Sequence, residues 1–295
     1  MSSPLFHAEW QLIHSGGDLL FGRPHHDIWC RRTPQFETSD VRANDTARPR
    51  ADGRGFGIDY TNGTTVTFDD LVIRGTNKLH TRELAEQARG LWRSPEARSE
   101  AGKTAELRMS YEGRTRSVFG RPRRWAANYS DASINGIITA VADFACADDL
   151  FYGPEESETM TTAASGGSGW VTPFIFPLTS TRASDHSQFV RITGGAATWP
   201  VTTIRGPISN PQVRIGDRLH DLRLTLAYDE SVVIDTRPWV RSVTRNGVSA
   251  AGALRGTRLG AMSLNPGQHE VTISGVDDTG TASVTLAWRP AYATP

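Results

Sequence analysis

Hydrophobic and polar residues alternate with a period of two along most of this chain, and that alternation predicts β-strands. In the first 75 residues, strand candidates are EWQLI at 9–13 and HDIWCRR at 26–32. The clearest hairpin candidate is GFGIDYTNGTTVTFDDLVIRG at 55–75. Its Asn62-Gly63 step supplies the positive φ angles of a type I′ turn. We therefore predict that the runs before and after this step pair with each other.

One segment has the period of a helix instead. In HTRELAEQARGLWRSPE the apolar residues fall on one helical face: Leu84, Ala85, Ala88, Leu91 and Trp92. We predict a helix over 81–93, with Thr81 as its N-cap, Glu83 in its first turn and Pro95 as its stop. Its apolar face is expected to pack on a sheet.

The pattern divides the chain into two mainly β domains. Residues 1–155 continue with a hairpin turning near Glu112-Gly113 and a long alternating strand from 136 onward. Residues 156–169 are rich in Ser, Thr and Gly and are predicted to be a linker. Residues 170–295 contain short alternating runs between Gly, Pro, Asn and Asp, typical of an antiparallel β-sandwich or barrel.

Composition narrows the classes of function. The 295 residues suffice for two domains. Lys plus Arg and Asp plus Glu both number 32, so the net charge is zero and favours neither nucleic acid nor an anionic membrane. The basic residues are nearly all arginine, which suits contacts at interfaces but also follows from a GC-rich coding bias.

Location is constrained by three features. Cys30 and Cys146 are too few and too far apart for a disulfide framework and are expected to be buried free thiols. The N-terminus lacks the basic start and apolar run of a signal peptide. No stretch approaches the roughly 20 apolar residues of a membrane span. We expect a soluble protein made in a reducing cytoplasm.

Candidate chemistry is sparse. His25, His26 and Cys30 occur together in HHDIWC, but neighbouring strand residues point to opposite faces and no CxxC or HxxxH motif completes a zinc site. We therefore expect no metal and no cofactor here. The adjacent Ser184, Asp185 and His186 do not by themselves form a triad, which is assembled by geometry across a fold.

Two further groups of residues, acidic pairs and tryptophans, bear on enzyme and carbohydrate chemistry. Acidic pairs occur at 69–70, 148–149, 155–156 and 277–278, and pairs beside turns are usually solvated. A glycosidase would need two carboxylates facing each other across a cleft, which a sequence neither shows nor excludes. Exposed tryptophans would stack on sugar rings, whereas buried ones fill a core. The candidates for stacking are Trp170, Trp199, Trp239 and Trp288.

An ordered series of turns and strand ends occupies about 195–293. Its elements are Gly206-Pro207, Asn210-Pro211, Ile234-Asp235-Thr236, Asn246-Gly247, Pro266-Gly267 and Trp288-Arg289-Pro290-Ala291-Tyr292. In this order they resemble the C-terminal domain of the distal tail proteins of long-tailed (siphovirus-type) bacteriophages. The loop at 49–55, the hairpin and the helix that follows it are similar to the first domain of that family, more loosely. We predict that Pro207 presets a turn and that Pro211 holds Asn210 extended.

The resemblance implies a structural virion protein at the tail tip or baseplate, without enzymatic activity. Such a protein forms a ring, a homohexamer in the family, that joins the tail tube to the tip or receptor-binding apparatus. The implied fold is a tail-tube-like sandwich or split barrel with one packed helix, followed by a galectin-like or carbohydrate-module-like sandwich. The implied partners are other copies of the chain, the tail tube protein, and the tip, hub and tape-measure proteins.

Two surfaces are expected to carry this function. The long polar loop 42–55 is our candidate for reaching a neighbouring subunit, through Arg42, Arg48, Arg50 and Arg54. The ring would pass DNA without binding it specifically, so its inner surface should be neutral to acidic, lined by strands such as those flanking Asn62-Gly63 and 136–151. Arg108, Arg114, Arg116 and Arg121 should then lie elsewhere. The alternative function is a carbohydrate-binding module acting on a host-cell glycan.

Overall fold

The computed structural model describes residues 5–37, 40–130, 136–162 and 186–295. The chain is mainly β, as the alternation predicts. It forms two compact units, the first comprising Met1–Pro154 with Tyr292–Pro295 and the second Glu155–Ala291. Whether they are independent domains with the predicted boundaries stays a prediction.

The first unit contains thirteen described strands and two helices. The strands are β1 Glu9–His14, β2 Gly17–Phe21, β3 Ile28–Cys30, β4 Gln35–Phe36, β5 Val41–Arg42, β6 Thr46–Ala47, β7 Arg54–Gly55, β8 Tyr60–Thr61, β9 Thr65–Ile73, β10 Ala105–Tyr111, β11 Arg114–Asn128, β12 Ile138–Cys146 and β13 Phe151–Tyr152. The helices are α1 Lys78–Arg93 and α2 Pro95–Ser99.

Seven of these strands form an antiparallel sheet in the order β2-β1-β10-β11-β12-β9-β3, which curls into a nearly closed barrel. β4 joins it at β9 and β13 at β11. Alternate residues of β12 from Ile138 to Cys146 are buried, because one face of the strand is in the core. The predicted turn at Glu112-Gly113 is confirmed: both residues have positive φ and join β10 to β11.

Helix α1 packs on the core through the predicted face. Ala85, Ala88 and Trp92 are buried, and Leu84 and Leu91 pack beside them. The predicted N-cap is wrong. The helix begins three residues earlier, because the Asn77 carboxamide accepts the His80 backbone N–H at 2.9 Å and is the better cap.

Thr81 has another role than predicted, whereas the helix does end at Arg93, just before Pro95. Thr81 is buried inside the helix, where its hydroxyl lies within hydrogen-bonding distance of the carbonyls of Asn77 and Gly136. Glu83 lies beyond the first turn. Pro95 follows the left-handed Ser94 and occupies the first turn of α2, as its fixed φ favours.

The hairpin predicted at Asn62-Gly63 is wrong. β8 pairs with β5, whereas β9 pairs with β12, β3 and β4, so the runs on either side of the step separate. Gly63 is needed for close approach rather than for a type I′ turn, since a Cβ there would lie 2.2 Å from the Cys146 carbonyl oxygen. The Asn-Gly step marks where the chain re-enters the sheet.

The second unit is a β-sandwich. Its strands are β14 Glu156–Thr161, β15 His186–Ile192, β16 Val201–Arg205, β17 Ile208–Ile215, β18 Arg218–Leu222, β19 Thr225–Leu226, β20 Ser231–Asp235, β21 Ser242–Arg245, β22 Val248–Ser249, β23 Leu254–Gly256, β24 Gly267–Val276 and β25 Ser283–Trp288. Two short 3₁₀ helices, Ala251–Ala253 and Leu259–Ala261, precede and follow β23 in the sequence. The last strand of the chain is β26 Ala291–Tyr292.

The two sheets of this sandwich are antiparallel, in the orders β14-β25-β16-β20-β21-β22 and β15-β24-β17-β18-β23, with β19 on β17. Apolar residues from both sheets form one core. The linker predicted at 156–169 is wrong for 156–161. That segment is β14, because its Ser and Thr residues suit a strand and Met160 is buried in the core. Residues 163–169 lie outside the described part of the chain.

The motifs that carry the family resemblance are structural here. Asn246 and Gly247 have positive φ and form the turn between β21 and β22. The Thr236 hydroxyl donates to the Pro200 carbonyl oxygen at 2.6 Å, and Asp235 accepts the Arg237 backbone N–H at 3.0 Å. These contacts close a strand end.

The conformation predicted for Asn210 is wrong. Asn210 has a φ of 49°, in the left-handed region, at the point where the β17–β24 pairing shifts register. Asparagine tolerates that conformation and the bulge requires it. The Gly206–Pro207 peptide bond is cis, and a Cβ on Gly206 would lie 2.1 Å from the Ala227 carbonyl oxygen.

Candidate assembly surface

A two-stranded arm projects from the first unit between β4 and β9. It comprises residues 40–62 and consists of two short ladders, β5 with β8 and β6 with β7. The turn at its tip is closed by the Arg48 N–H, which bonds the Gly53 carbonyl at 3.4 Å, with Arg50 in the left-handed region at a φ of 64°. The loop predicted at 42–55 is thus an ordered ribbon.

Polar and cation–π contacts among the described residues of the arm join one of its strands to the other. The Asp45 carboxylate accepts a hydrogen bond from Arg54 and another from the Gly57 backbone, each at 3.3 Å. The Arg42 guanidinium lies 5.4 Å from the centre of the Tyr60 ring. These bonds connect opposite strands, so the ribbon supports its own shape.

The arm exposes an unusual amount of apolar surface. Val41, Phe56, Ile58 and Tyr60 are exposed by 59, 84, 70 and 49%. None belongs to the hydrophobic core of the first unit. Burying such a side chain stabilises by about 1.5–3 kcal/mol, so four exposed together favour contact with another surface.

The base of the arm is fixed to the sheet. Asn62 donates its backbone N–H to the Asp40 carbonyl at 2.9 Å, and Thr64 donates to Asp148 at 3.1 Å. The Thr64 hydroxyl also bonds the Glu37 carbonyl. The first bond joins the two strands of the arm to each other, and the Thr64 bonds tie the chain that follows the arm to Asp148 and Glu37.

The four predicted contact arginines all lie on this arm, and each is exposed. Arg42 and Arg54 have partners within it, and Arg48 and Arg50 lie near its tip. The arm also carries four aspartates, so its formal charge is balanced. The apolar residues were missed, although 56, 58 and 60 alternate, because that alternation was assigned to a hairpin with β9.

A second surface is the sheet face opposite α1. On β12 it consists of Thr139, Val141, Asp143 and Ala145, each half-buried. Arg108 lies on the same side of β10 as Glu106, since both alternate with buried Leu107 and Met109. This face is therefore polar with mixed charge.

Of the other arginines named for the channel, Arg121 lies on this same face, because it pairs with Ala145, whereas Arg116 pairs with buried Met109. Arg121 donates to the backbone carbonyls of Glu100 and Lys103, and the Arg116 guanidinium lies 3.7 Å from the centre of the Tyr292 ring. Arg114 is exposed at the β10–β11 turn. Arg108 is held by the Gln11 side chain at 3.1 Å.

The three described tryptophans among those named for sugar stacking do not form an exposed platform. Trp288 is only 5% exposed, and its indole N–H donates to Glu156 at 3.1 Å, which leaves no free face for a sugar ring. Trp199 and Trp239 are half-buried. Trp170 lies outside the described residues, as do Ser184 and Asp185 of the triad-like motif.

The acidic pairs have different environments from one another. Asp277 is buried, contrary to the solvated position expected beside a turn, because five hydrogen bonds from its loop and from Thr162 satisfy it. Asp148 accepts the Tyr152 hydroxyl at 2.6 Å, and burial raises its pKa to about 6. Both carboxylates hold loops in place.

The two cysteines are free, as expected. Cys146 is buried, Cys30 is half-buried against the same core, and burial raises the pKa of both thiols, that of Cys30 to about 12. Cys30 lies on β3, away from the turn that carries the adjacent histidines. Among the described residues, no helix has the length and apolar character that crossing a bilayer requires.

Comparison with known proteins identifies the fold. No protein-family model matches the chain, and no curated protein matches its sequence. A solved structure of SPP1 Dit (gp 19.1), a paradigm of hub adsorption apparatus in Gram-positive infecting phages, matches with a TM-score of 0.57 and 15% identity. The match covers 96% of this chain and 98% of that one.

Chains of the phage p2 baseplate are also similar. The structure of this baseplate in its activated conformation with Sr matches with a TM-score of 0.55, and the structure with Ca matches with a TM-score of 0.54. Each match has 11% identity and covers 95% of this chain and 97% of that one. The chain therefore has the fold of phage hub and baseplate proteins across nearly its whole length, including both units.

Proposed function

We propose that this protein is a distal tail component of a bacteriophage, forming a ring that joins the tail tube to the tip or receptor-binding apparatus. The observation that carries the proposal is the match over 96% of the chain to a protein of a phage adsorption hub. At 15% identity the match concerns the fold, so the role is supported further by the surfaces described above.

The arm supports assembly into a closed ring. A cyclic ring needs two different patches on each subunit, one of which contacts the other on the next subunit. The arm is fixed at its base, exposes Phe56 and Ile58, and packs against no core of its own unit. We propose that its apolar strand and its four arginines contact the neighbouring subunit, in a ring that we expect to be a hexamer.

The uncovered sheet face suits a channel for DNA in passage. We propose that α1 lies on the outside of the ring and that the face with Thr139, Val141 and Asp143 lines the lumen. Arg108 and Arg121 are on this face, and Glu106 and Asp143 offset their charge. A balanced lining would not retain phosphates by counterion release.

The remaining partners follow from this position. They are the tail tube protein on one side and the hub or tip and tape-measure proteins on the other, in the virion tail after synthesis in the host cytoplasm. The role is structural, without enzymatic activity, and no membrane is involved. The carbohydrate-binding alternative has less support, because Trp288 is buried and the candidates Trp199 and Trp239 are half-buried.

The arm provides a direct test. The double variant Phe56→Ser with Ile58→Ser removes its two most exposed apolar side chains without touching the core. We expect mass photometry and negative-stain microscopy to show rings for the wild-type chain at high concentration. The double variant should remain largely monomeric with an unchanged circular dichroism spectrum and Tm.

A matched control distinguishes the loss of the arm's apolar side chains from a general effect of making the protein surface more polar. Tyr228→Ser with Val248→Ser removes two residues of similar exposure, 78 and 71%, from the second unit. This control should assemble as the wild type does. A wild-type chain that stays monomeric at all concentrations, or rings that persist in the arm variant, would refute the proposed assembly.

A further inference from the structure

Glu9, His25 and His26 bring three metal-ligating atoms together at the start of the first unit. The Glu9 Oε1 atom lies 3.0 Å from Nε2 of His26 and 3.6 Å from Nε2 of His25. All three atoms lie within 4.8 Å of one another. In the described part of the chain, no other group of three His, Cys, Asp or Glu residues has this arrangement.

The chain conformation explains why two adjacent histidines point to the same place. Residues 23–27 form a turn, closed by the His26 backbone N–H donating to the Arg23 carbonyl at 3.0 Å. The alternation at 26–32 predicts a strand instead, in which neighbouring side chains would point to opposite faces. On the turn the two imidazole rings lie 4.1 Å apart between centres, with Glu9 facing both.

The carboxylate is held as a ligand would be. Glu9 is 3% exposed, and its second oxygen, Oε2, accepts the Phe6 backbone N–H at 2.7 Å, which leaves Oε1 for the histidines.

We propose that Glu9, His25 and His26 bind one first-row transition metal ion, with Zn²⁺ as the best fit. Tetrahedral Zn²⁺ with ligands at about 2.1 Å has ligand-to-ligand distances of about 3.4 Å, which the two measured distances bracket. Two imidazoles and one carboxylate are the ligand types that Zn²⁺ prefers over Ca²⁺ or Mg²⁺. Because His25 is exposed to solvent, a water molecule would occupy the fourth coordination position of the ion.

Binding at this site would connect two separate segments. Glu9 begins β1, and the histidines lie on the turn between β2 and β3, so the ion would tie the residues around Phe6 to that turn. The Phe6 backbone N–H donates to the Glu9 carboxylate the supporting hydrogen bond that metal ligands usually have. The site is separate from the arm, so its occupancy and the ring can be tested independently.

The experiment uses the full chain after treatment with EDTA and desalting. Zn²⁺ alone is titrated by isothermal calorimetry, and bound zinc is counted by mass spectrometry after dialysis. We expect one ion per chain and a rise in Tm. His25→Ala, at an exposed position, and Glu9→Gln should each weaken Zn²⁺ binding by at least about tenfold.

His186→Ala is the matched control, because His186 is also exposed and lies in the second unit. It should bind as the wild type does. Co²⁺ provides a second readout, since its visible absorption reports imidazole ligation and should be lost in His25→Ala. Absence of stoichiometric Zn²⁺ in the wild type, or equal affinity in His25→Ala and His186→Ala, would overturn the proposal.

Discussion

Two buried ionisable side chains of the second unit lie in opposite environments. His220 is fully buried, and among the described residues neither ring nitrogen has a hydrogen-bond partner. Burial lowers its pKa to about 4. Burial alone would raise the pKa of Asp277, but hydrogen bonds from Thr162, Ala282 and Thr279 lower it to about 2. One residue is held neutral and the other charged.

His220 is expected to make the protein sensitive to acid. Below a pH of about 6.5 the unfolded chain binds a proton that the folded chain refuses until about pH 4. Stability should therefore fall across that window, with a contribution of up to about 1.4 kcal/mol per pH unit. His220→Leu should flatten the dependence of Tm on pH between 6.5 and 4, whereas exposed His186→Leu should not. Equal slopes in both variants would contradict this assignment.

Asp277 should act at a lower pH and in the same direction, because the fold favours the deprotonated form of this residue too. Its depressed pKa stabilises the fold above about pH 4, and this contribution is lost as the pH falls through about 2. Asp277→Asn should lower the free energy of unfolding by about 2 kcal/mol at pH 7, measured by urea titration. Asp278→Asn, at the exposed neighbouring position, is the control. A similar loss in both would show that the buried loop contacts are not the cause.

At the scale of elements, two glycines of the first unit differ in the space around them for a side chain. Gly63 lies at the base of the arm against the Cys146 carbonyl, where there is no room for a side chain. Gly90 is exposed in α1, and no atom lies within 4 Å of where its Cβ would be. The first glycine is required by the fold, and the second only weakens a helix.

Alanine substitutions at these two glycines should therefore have opposite effects on stability. Gly63→Ala should destabilise the first unit by about 1–3 kcal/mol, because the new methyl group forces strands apart. Gly90→Ala should stabilise it by about 0.5–1 kcal/mol, because alanine loses less backbone freedom in a helix. Thermal unfolding followed by circular dichroism measures both. A neutral Gly63→Ala would indicate that the base of the arm adapts without cost.

At the scale of the whole molecule, the balance of charge bears on DNA passage. The chain has zero formal net charge, and the face proposed to line the channel carries acidic and basic groups together. Lys or Arg residues collected in a lumen would bind phosphates and hold the DNA. The assembled protein is therefore expected to bind duplex DNA poorly.

Reversing one charge tests which face lines the channel. Asp143 is half-buried on the uncovered face, and its Oδ1 atom has no hydrogen-bond partner among the described residues. Asp143→Lys should give the ring salt-dependent DNA binding, with a Kd of about 10⁻⁴–10⁻⁶ M by fluorescence anisotropy. Asp278→Lys adds the same charge to the second unit and should not. Equal binding in both would place the uncovered face outside the channel.

The sequence by itself determined the features that depend on near neighbours. Period-two alternation located β1, β10 and β12, and the 3.6-residue period located the buried face of α1. The turns at Glu112-Gly113 and Asn246-Gly247 followed from residues that tolerate positive φ. The ordered series of such turns was also enough to indicate the fold, because each is local strand-end chemistry.

Only the tertiary structure decided which segments meet. The run before Asn62-Gly63 has the pattern of a strand, but its partner is β5, and that choice made a projecting arm out of a predicted hairpin. Asp277 and Glu9 are buried because segments distant in sequence supply their hydrogen bonds or their neighbours. Alternation defines a strand's two faces but not its partner, since pairing depends on the register of the whole sheet.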